Sequence, residues 1–154
     1  MAEAGSPAPD ASFTSPDGTP RTISDFRGKK LVVYFYPKDA TSGCTREAQD
    51  FTALIGEFAA AGATVLGISK DSEKSHAKFI AKYELKVELG TDADGSLCEA
   101  FGVWVEKSLY GRKYMGIERA TFLIDAGGIV AKVWRKVKVA GHAATVLEAV
   151  KALS

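Results

Sequence analysis

Residues 31–36, LVVYFY, form an unbroken apolar run of β-branched and aromatic side chains. A half-exposed strand alternates polar and apolar positions, so an uninterrupted run between Lys29–Lys30 and Pro37 suits a strand buried on both faces. Such a strand requires a layer on each side, and the flanking segments supply the helices. Apolar residues recur at Ala48, Phe51, Leu54, Ile55 and Phe58, one helical stripe that runs from Thr45 to Ala61 and ends at Gly62. TVLGIS (64–69) reads as a second buried strand. DSEKSHAKFIAKY has an Asp/Ser start and a Phe79–Ile80–Tyr83 face, so a second helix is expected there. A short helix around SLCEAFG follows VELGTDADG, and VWVEKSLYGRKYMGI reads as an irregular or hairpin-like insertion. ERATFLID and IVAKVWRKV, joined by AGG, form an antiparallel hairpin before the amphipathic GHAATVLEAVKALS. At the other end, SFTSPDGTPRTISDF reads as two short β segments about the turn PDG, after a flexible lead-in over about residues 1–8. The expected fold is α/β: a mixed central sheet flanked by helices, with an N-terminal β-hairpin, in one domain over 1–154.

Several function classes are excluded by composition. A formal net charge of +1 gives no electrostatic basis for binding nucleic acid or an anionic membrane surface. No apolar stretch approaches a membrane span. The start, MAEAGSPAPDASF, lacks the basic and apolar regions of a signal peptide, and two cysteines far apart suggest a reducing compartment, so a cytoplasmic location is expected. Cys and His are too few at ligand spacing for a structural zinc site, and DADG (92–95) is too short for a calcium loop. His76 and His142 are isolated and read as structural.

The stretch PKDATSGC (37–44) joins the buried strand to the first helix, and it poses the functional question. Cys44 falls on the stripe of Ala48, Phe51 and Ile55, at the first helical turn, with Thr41 or Ser42 as N-cap. Unsatisfied N–H groups and the positive dipole end favour a thiolate at such a position. The loop also crosses the carboxyl end of LVVYFY, where open α/β sheets place their reactive groups. A lone cysteine is otherwise a packed small hydrophobe.

With Pro37, Thr41 and Cys44 spaced as P-x-x-x-T-x-x-C, the sequence resembles the peroxiredoxins, in their Q-type or bacterioferritin-comigratory branch. The likeness runs over about residues 8–153 and includes YFYPKDATSGCTREAQDF, VLGIS, DADGSLCEAFGVW, GIERATFLID and KVWRKVKVAGHA. It implies a thioredoxin-like fold and thiol-dependent reduction of hydroperoxides without cofactor. Cys44 would be the attacking thiol, Pro37, Thr41 and Arg119 would complete the site, and Glu47 would partner an arginine. The reductant would be thioredoxin, glutaredoxin or a small thiol, and members of the branch are monomers, with occasional dimers.

The chemistry explains why those groups are needed. Lowering a thiol pKa from about 8.5 to about 6 raises the thiolate fraction at pH 7 roughly thirtyfold, but costs roughly tenfold in nucleophilicity. The larger contribution has to come from groups aimed at the peroxide oxygens. The Thr41 hydroxyl can accept from one oxygen and donate to the other. Arg119 can hold both sulfur and oxygen, and the N–H groups of Gly43 and Cys44 are further donors. Gly43 would let substrate approach the main chain, and Pro37 would wall the thiolate from water.

Two departures concern the second half of the cycle. Branch members carry a resolving cysteine either five residues after the first or in the helix after TVLGISKD. Here those places hold Gln49 and the cysteine-free HAKFIAKYEL. Ser42 replaces the proline usual in the branch. Cys98, beside Leu97 and Phe101, reads as packing; the alternative is that it resolves Cys44. If it is inert, an outside thiol must do so. Two competing functions share the fold. A dithiol oxidoreductase requires C-x-x-C, which TSGCTRE lacks. A non-catalytic interaction or chaperone-like protein leaves Pro37, Thr41, Cys44 and Arg119 without joint purpose.

Overall fold

The structure, a computed structural model, describes residues 2–154. The apolar run becomes β3 (Lys30–Phe35) at the heart of a seven-stranded sheet. Its neighbours are β4 (Ala63–Ser69), parallel to it, and β8 (Ala120–Ile124), antiparallel. Outward from β4 lie β5 (Glu88–Thr91), β1 (Ser12–Thr14) and β2 (Pro20–Thr22), and outward from β8 lies β9 (Val130–Trp134). The strand period of two sends Val32, Tyr34 and Tyr36 into one core and Leu31, Val33 and Phe35 into the other. The first core is covered by α1 (Ser42–Ala53), α2 (Ile55–Ala60), α3 (Glu73–Tyr83) and α5 (His142–Ala152). The second holds α4 (Ser96–Ala100) and the base of a hairpin, β6 (Trp104–Leu109) and β7 (Arg112–Ile117). The mixed sheet, its helical layers and the N-terminal hairpin thus match the sequence reading.

Three details differ. The expected flexible lead-in is tied down: Gly5 N and Ala8 N donate to Val130 O and Gly128 O, each at 2.8 Å, and Val130 N donates to Ser6 O at 2.9 Å. Its Ala/Gly/Pro/Ser composition carries no pairing signal, and its partner strand lies at the far end of the chain. The single helix expected over 45–61 is two, divided where Leu54 N donates back to Phe51 O at 3.1 Å. The bend keeps both Phe51 and Phe58 in the core, with ring centroids 5.8 Å apart. β5 had no clear strand signature, because Gly90 sits where a Cβ would collide with Phe13 and Ile68.

Among the described residues, no helix is long and apolar enough to cross a membrane.

Gly67 on β4 shows how closely the first core is packed beneath the helix start. A Cβ there would lie 2.7 Å from Tyr34 Cζ and 2.9 Å from Leu89 Cδ2. Tyr34 in turn stacks on Phe51 of α1, centroids 4.8 Å apart. Gly67→Ala is therefore expected to cost about 1–3 kcal/mol by urea denaturation, the usual penalty for overpacking.

Candidate functional site

The site is built where β3 ends and α1 begins. Thr41, extended at φ −76° and ψ 155°, is the N-cap of α1, and its hydroxyl donates to Lys38 O at 2.8 Å rather than capping the helix. Two residues on, Gly43 and Cys44 lie in the first turn, and Cys44 is only 2% exposed. The helical stripe continues through buried Glu47, Ala48 and Phe51. Because positions three apart share a helix face, Cys44 and Glu47 point the same way.

Arg119 stands just before β8, not on a strand as its sequence context suggested. Phe35 pairs with Ala120, so the β3–β8 register delivers Arg119 to the start of the loop that carries Cys44. Its Nη1 donates to Glu47 Oε1 at 2.6 Å and its Nη2 to Cys44 Sγ at 3.3 Å. The neighbouring Glu118 does not compete, because Arg135 Nε holds it at 2.7 Å. Gly43 has a role beyond the expected substrate approach: a Cβ there would lie 3.2 Å from Arg119 Nη2, so the missing side chain admits the guanidinium.

The electrostatics of this trio follow from burial. The Glu47 side chain is 1% exposed, and its Oε2 has no hydrogen-bond partner among the described residues. Burial pushes its pKa up to about 7, against the opposing pull of the Arg119 charge. Burial also disfavours the guanidinium, but Glu47 and the Cys44 sulfur outweigh it and raise its pKa. The arrangement gives a sulfur and a fixed cation within reach of one another, on a helix start whose N–H groups are unspent.

The other sequence candidates are distributed as follows. Pro37 is exposed at the end of β3, and Thr41 is exposed beside the helix start. Cys98 is fully buried in the second core, on the opposite face of the sheet from Cys44. There burial, reinforced by Asp92, pushes its thiol pKa far up. His142 packs edge-on against Phe51 and shares a 2.8 Å hydrogen bond between its Nε2 and Thr121 Oγ1; burial pulls its pKa down to about 4. Sequence reasoning missed a polar cluster, Asp39 with His76 and Tyr36, all buried next to the loop. A signal existed: His76 lies on the same α3 face as Phe79 and Tyr83, a face that packs inward.

The chain is similar to known proteins over nearly its whole length. The AhpC/TSA family profile matches residues 4–133. Peroxiredoxin Bcp of Xanthomonas campestris is 51% identical over 156 residues, covering 99% of this chain and 98% of that protein. Peroxiredoxin Bcp of Bacillus subtilis is 47% identical over 152 residues, covering 99% and 97%. Among solved structures, PrxQ of Xylella fastidiosa superposes with a TM-score of 0.93 at 41% identity, covering 99% of this chain and 97% of that one. The bacterioferritin comigratory protein of Xanthomonas campestris, whose structures address alkyl peroxide reduction, gives 0.88 at 51% identity, with 92% and 90% covered.

The raised Glu47 pKa predicts a trade between stability and activity. A carboxyl whose folded pKa lies above its unfolded value of 4.5 destabilises the fold once both states are ionised. Glu47→Gln removes that cost. Its melting temperature should exceed the wild type's by a few degrees at pH 8, with the gain gone below about pH 4.5. Its reaction with peroxide at pH 8 should be slower by about tenfold or more, because Arg119 loses its anionic anchor.

Proposed function

The chain belongs to the AhpC/TSA family as a peroxiredoxin, and from that premise we propose how its site carries out the reaction. It is a thiol peroxidase that reduces hydroperoxides. The Cys44 thiolate attacks one peroxide oxygen. An S–O bond forms, the O–O bond breaks, and the electron pair leaves with the distal oxygen, which takes up a proton to become water or an alcohol. Sulfur is oxidised to the sulfenic acid as the peroxide is reduced.

The observation that carries this assignment is the Arg119 guanidinium, bonded at once to Glu47 and to the Cys44 sulfur. Charge moves from sulfur to the leaving oxygen during attack. A cation fixed between the two stabilises it without reorganising. The Thr41 hydroxyl donates to Lys38 O while its lone pairs stay free to accept the peroxide proton. The first-turn N–H groups at Gly43 and Cys44 supply further donors. Pro37 closes the loop side of the site.

The sulfenic acid is reduced by a thiol from outside, from thioredoxin, glutaredoxin or a small thiol. The placement of Cys98 across the sheet supports this reading, since a disulfide requires Cα atoms within about 7 Å. An external thiol attacks Cys44 sulfur and expels water, and a second thiol releases Cys44 as the thiolate. Such a cycle fits a reducing cytoplasm that supplies the thiols. Cys44, Glu47 and Arg119 meet within one chain, which supports a monomer as the working unit.

With dithiothreitol as reductant, Cys44→Ser should abolish peroxide consumption. Arg119→Met should lower the second-order rate by about 10²–10³-fold, the loss typical for one transition-state donor. Full activity in Cys44→Ser would remove Cys44 from the reaction, and a wild type with no activity above background would return the chain to the class of non-catalytic thioredoxin-fold proteins. After one equivalent of peroxide, intact mass and peptide mapping should find one added oxygen on Cys44. An intramolecular Cys44–Cys98 bridge would disprove the one-cysteine cycle.

A further inference from the structure

The reaction just described makes no use of the buried cluster behind the loop. Asp39 precedes Ala40, which has a φ of 62°, a left-handed conformation that an alanine keeps only when its surroundings fix it. Asp39 supplies the fixing. Its N–H donates to Asp71 Oδ2 at 2.8 Å, and its Oδ1 accepts from Tyr36 Oη at 2.6 Å. Its Oδ2 accepts from Ser75 Oγ at 2.8 Å and lies 2.7 Å from His76 Nδ1. His76, fully buried, places Nε2 3.1 Å from Gly90 O. The ring is thus held at both ends, by the Asp39 carboxylate at Nδ1 and by the Gly90 carbonyl at Nε2. Burial alone would raise the Asp39 pKa, but the bonds from His76 and Tyr36 and the His76 charge hold it below the ordinary carboxylate range.

A buried carboxylate bonded in this way adds little net stability over apolar packing, but taking its partners away strands a charge. Leu or Phe at position 76 would fill α3 equally well and would hold nothing. The bonds tie the loop to α3, and the loop leads through Thr41 into the first turn of α1, which holds the nearly inaccessible Cys44. Building on the peroxidase reading, we propose that His76, acting through Asp39, is the positioning residue that clamps the 39–44 turn in its reactive geometry. It touches neither substrate nor sulfur. Its effect is to keep the Thr41 hydroxyl, the first-turn N–H groups and the thiol in fixed relation, and to keep Cys44 covered.

The test compares two reactions of the reduced full-length chain at one pH: oxidation of Cys44 by hydrogen peroxide, and alkylation by neutral iodoacetamide, assigned to Cys44 by peptide mapping. Peroxide chemistry needs the assembled turn, whereas alkylation needs only an exposed thiol. His76→Leu should slow oxidation at least tenfold and speed alkylation several-fold. Tyr36→Phe, which removes one donor and keeps the ring, should move both rates the same way by less. His76→Asn, which restores one N–H toward Asp39, should recover part of each. A general loss of stability that leaves the chain folded moves neither rate. The proposal is overturned if folded His76→Leu keeps both rates within twofold of wild type, or if both rates fall together. If His76→Leu does not fold, Tyr36→Phe is judged by the direction of its two rates. A wild type inert to peroxide, with faster alkylation in the variants, would remove the peroxidase reading and leave the clamp standing.

Discussion

The site depends on one guanidinium held away from water between a carboxylate and a sulfur. Arg119 is 18% exposed in its side chain, and Glu47 is 1% exposed. Removing such charges from solvent is costly, and the raised Glu47 pKa shows that the Arg119 charge does not fully offset that cost. The structure therefore fixes all three participants from rigid elements. Cys44 and Glu47 share a face of α1, Gly43 leaves room for the guanidinium, and the β3–β8 register sets where Arg119 emerges. A slip of one residue in that register would send the side chain to the other face of the sheet.

The double-sided burial of β3 then decides the fate of the two thiols. Alternation along the strand creates two cores, and each receives one cysteine. Cys44 shares its core with α1 and stands beside a cation. Cys98 is closed in among Leu97, Phe101 and Phe35, with its main-chain N–H donating to Asp92 Oδ2 at 2.8 Å. A thiolate is disfavoured there, as it is at any buried cysteine beside a carboxylate. Two residues of the same type thus meet opposite surroundings, a cation beside one and a carboxylate beside the other.

Much of the architecture was legible because it rests on local periodicity. LVVYFY announced the central strand, the stripe of Ala48, Phe51 and Phe58 announced the covering helices, and AGG announced the β8–β9 hairpin. What escaped was written in long-range partners. Residues 5–8 look like a loose tail until β9 pairs with them, and β5 is recognisable only once Gly90 is seen beneath Phe13. Asp39 carries no signal in its own loop because its partner His76 lies on α3, far along the chain.

By itself, the sequence determined the candidate reactive position: a cysteine in the first turn of a helix behind a buried strand, where spacing alone aims it at the sheet and gives it unspent N–H donors. It also determined the family, through motifs that stand in order along the chain. The family motifs pointed to Arg119 and Glu47, but only tertiary structure decided how the guanidinium bridges that carboxylate and the sulfur, and that the second thiol is on the far side of the sheet. The physical reason is range. Helix and strand periods are set by neighbours along the chain, whereas ion pairs and burial are set by strand register and packing between residues far apart in it.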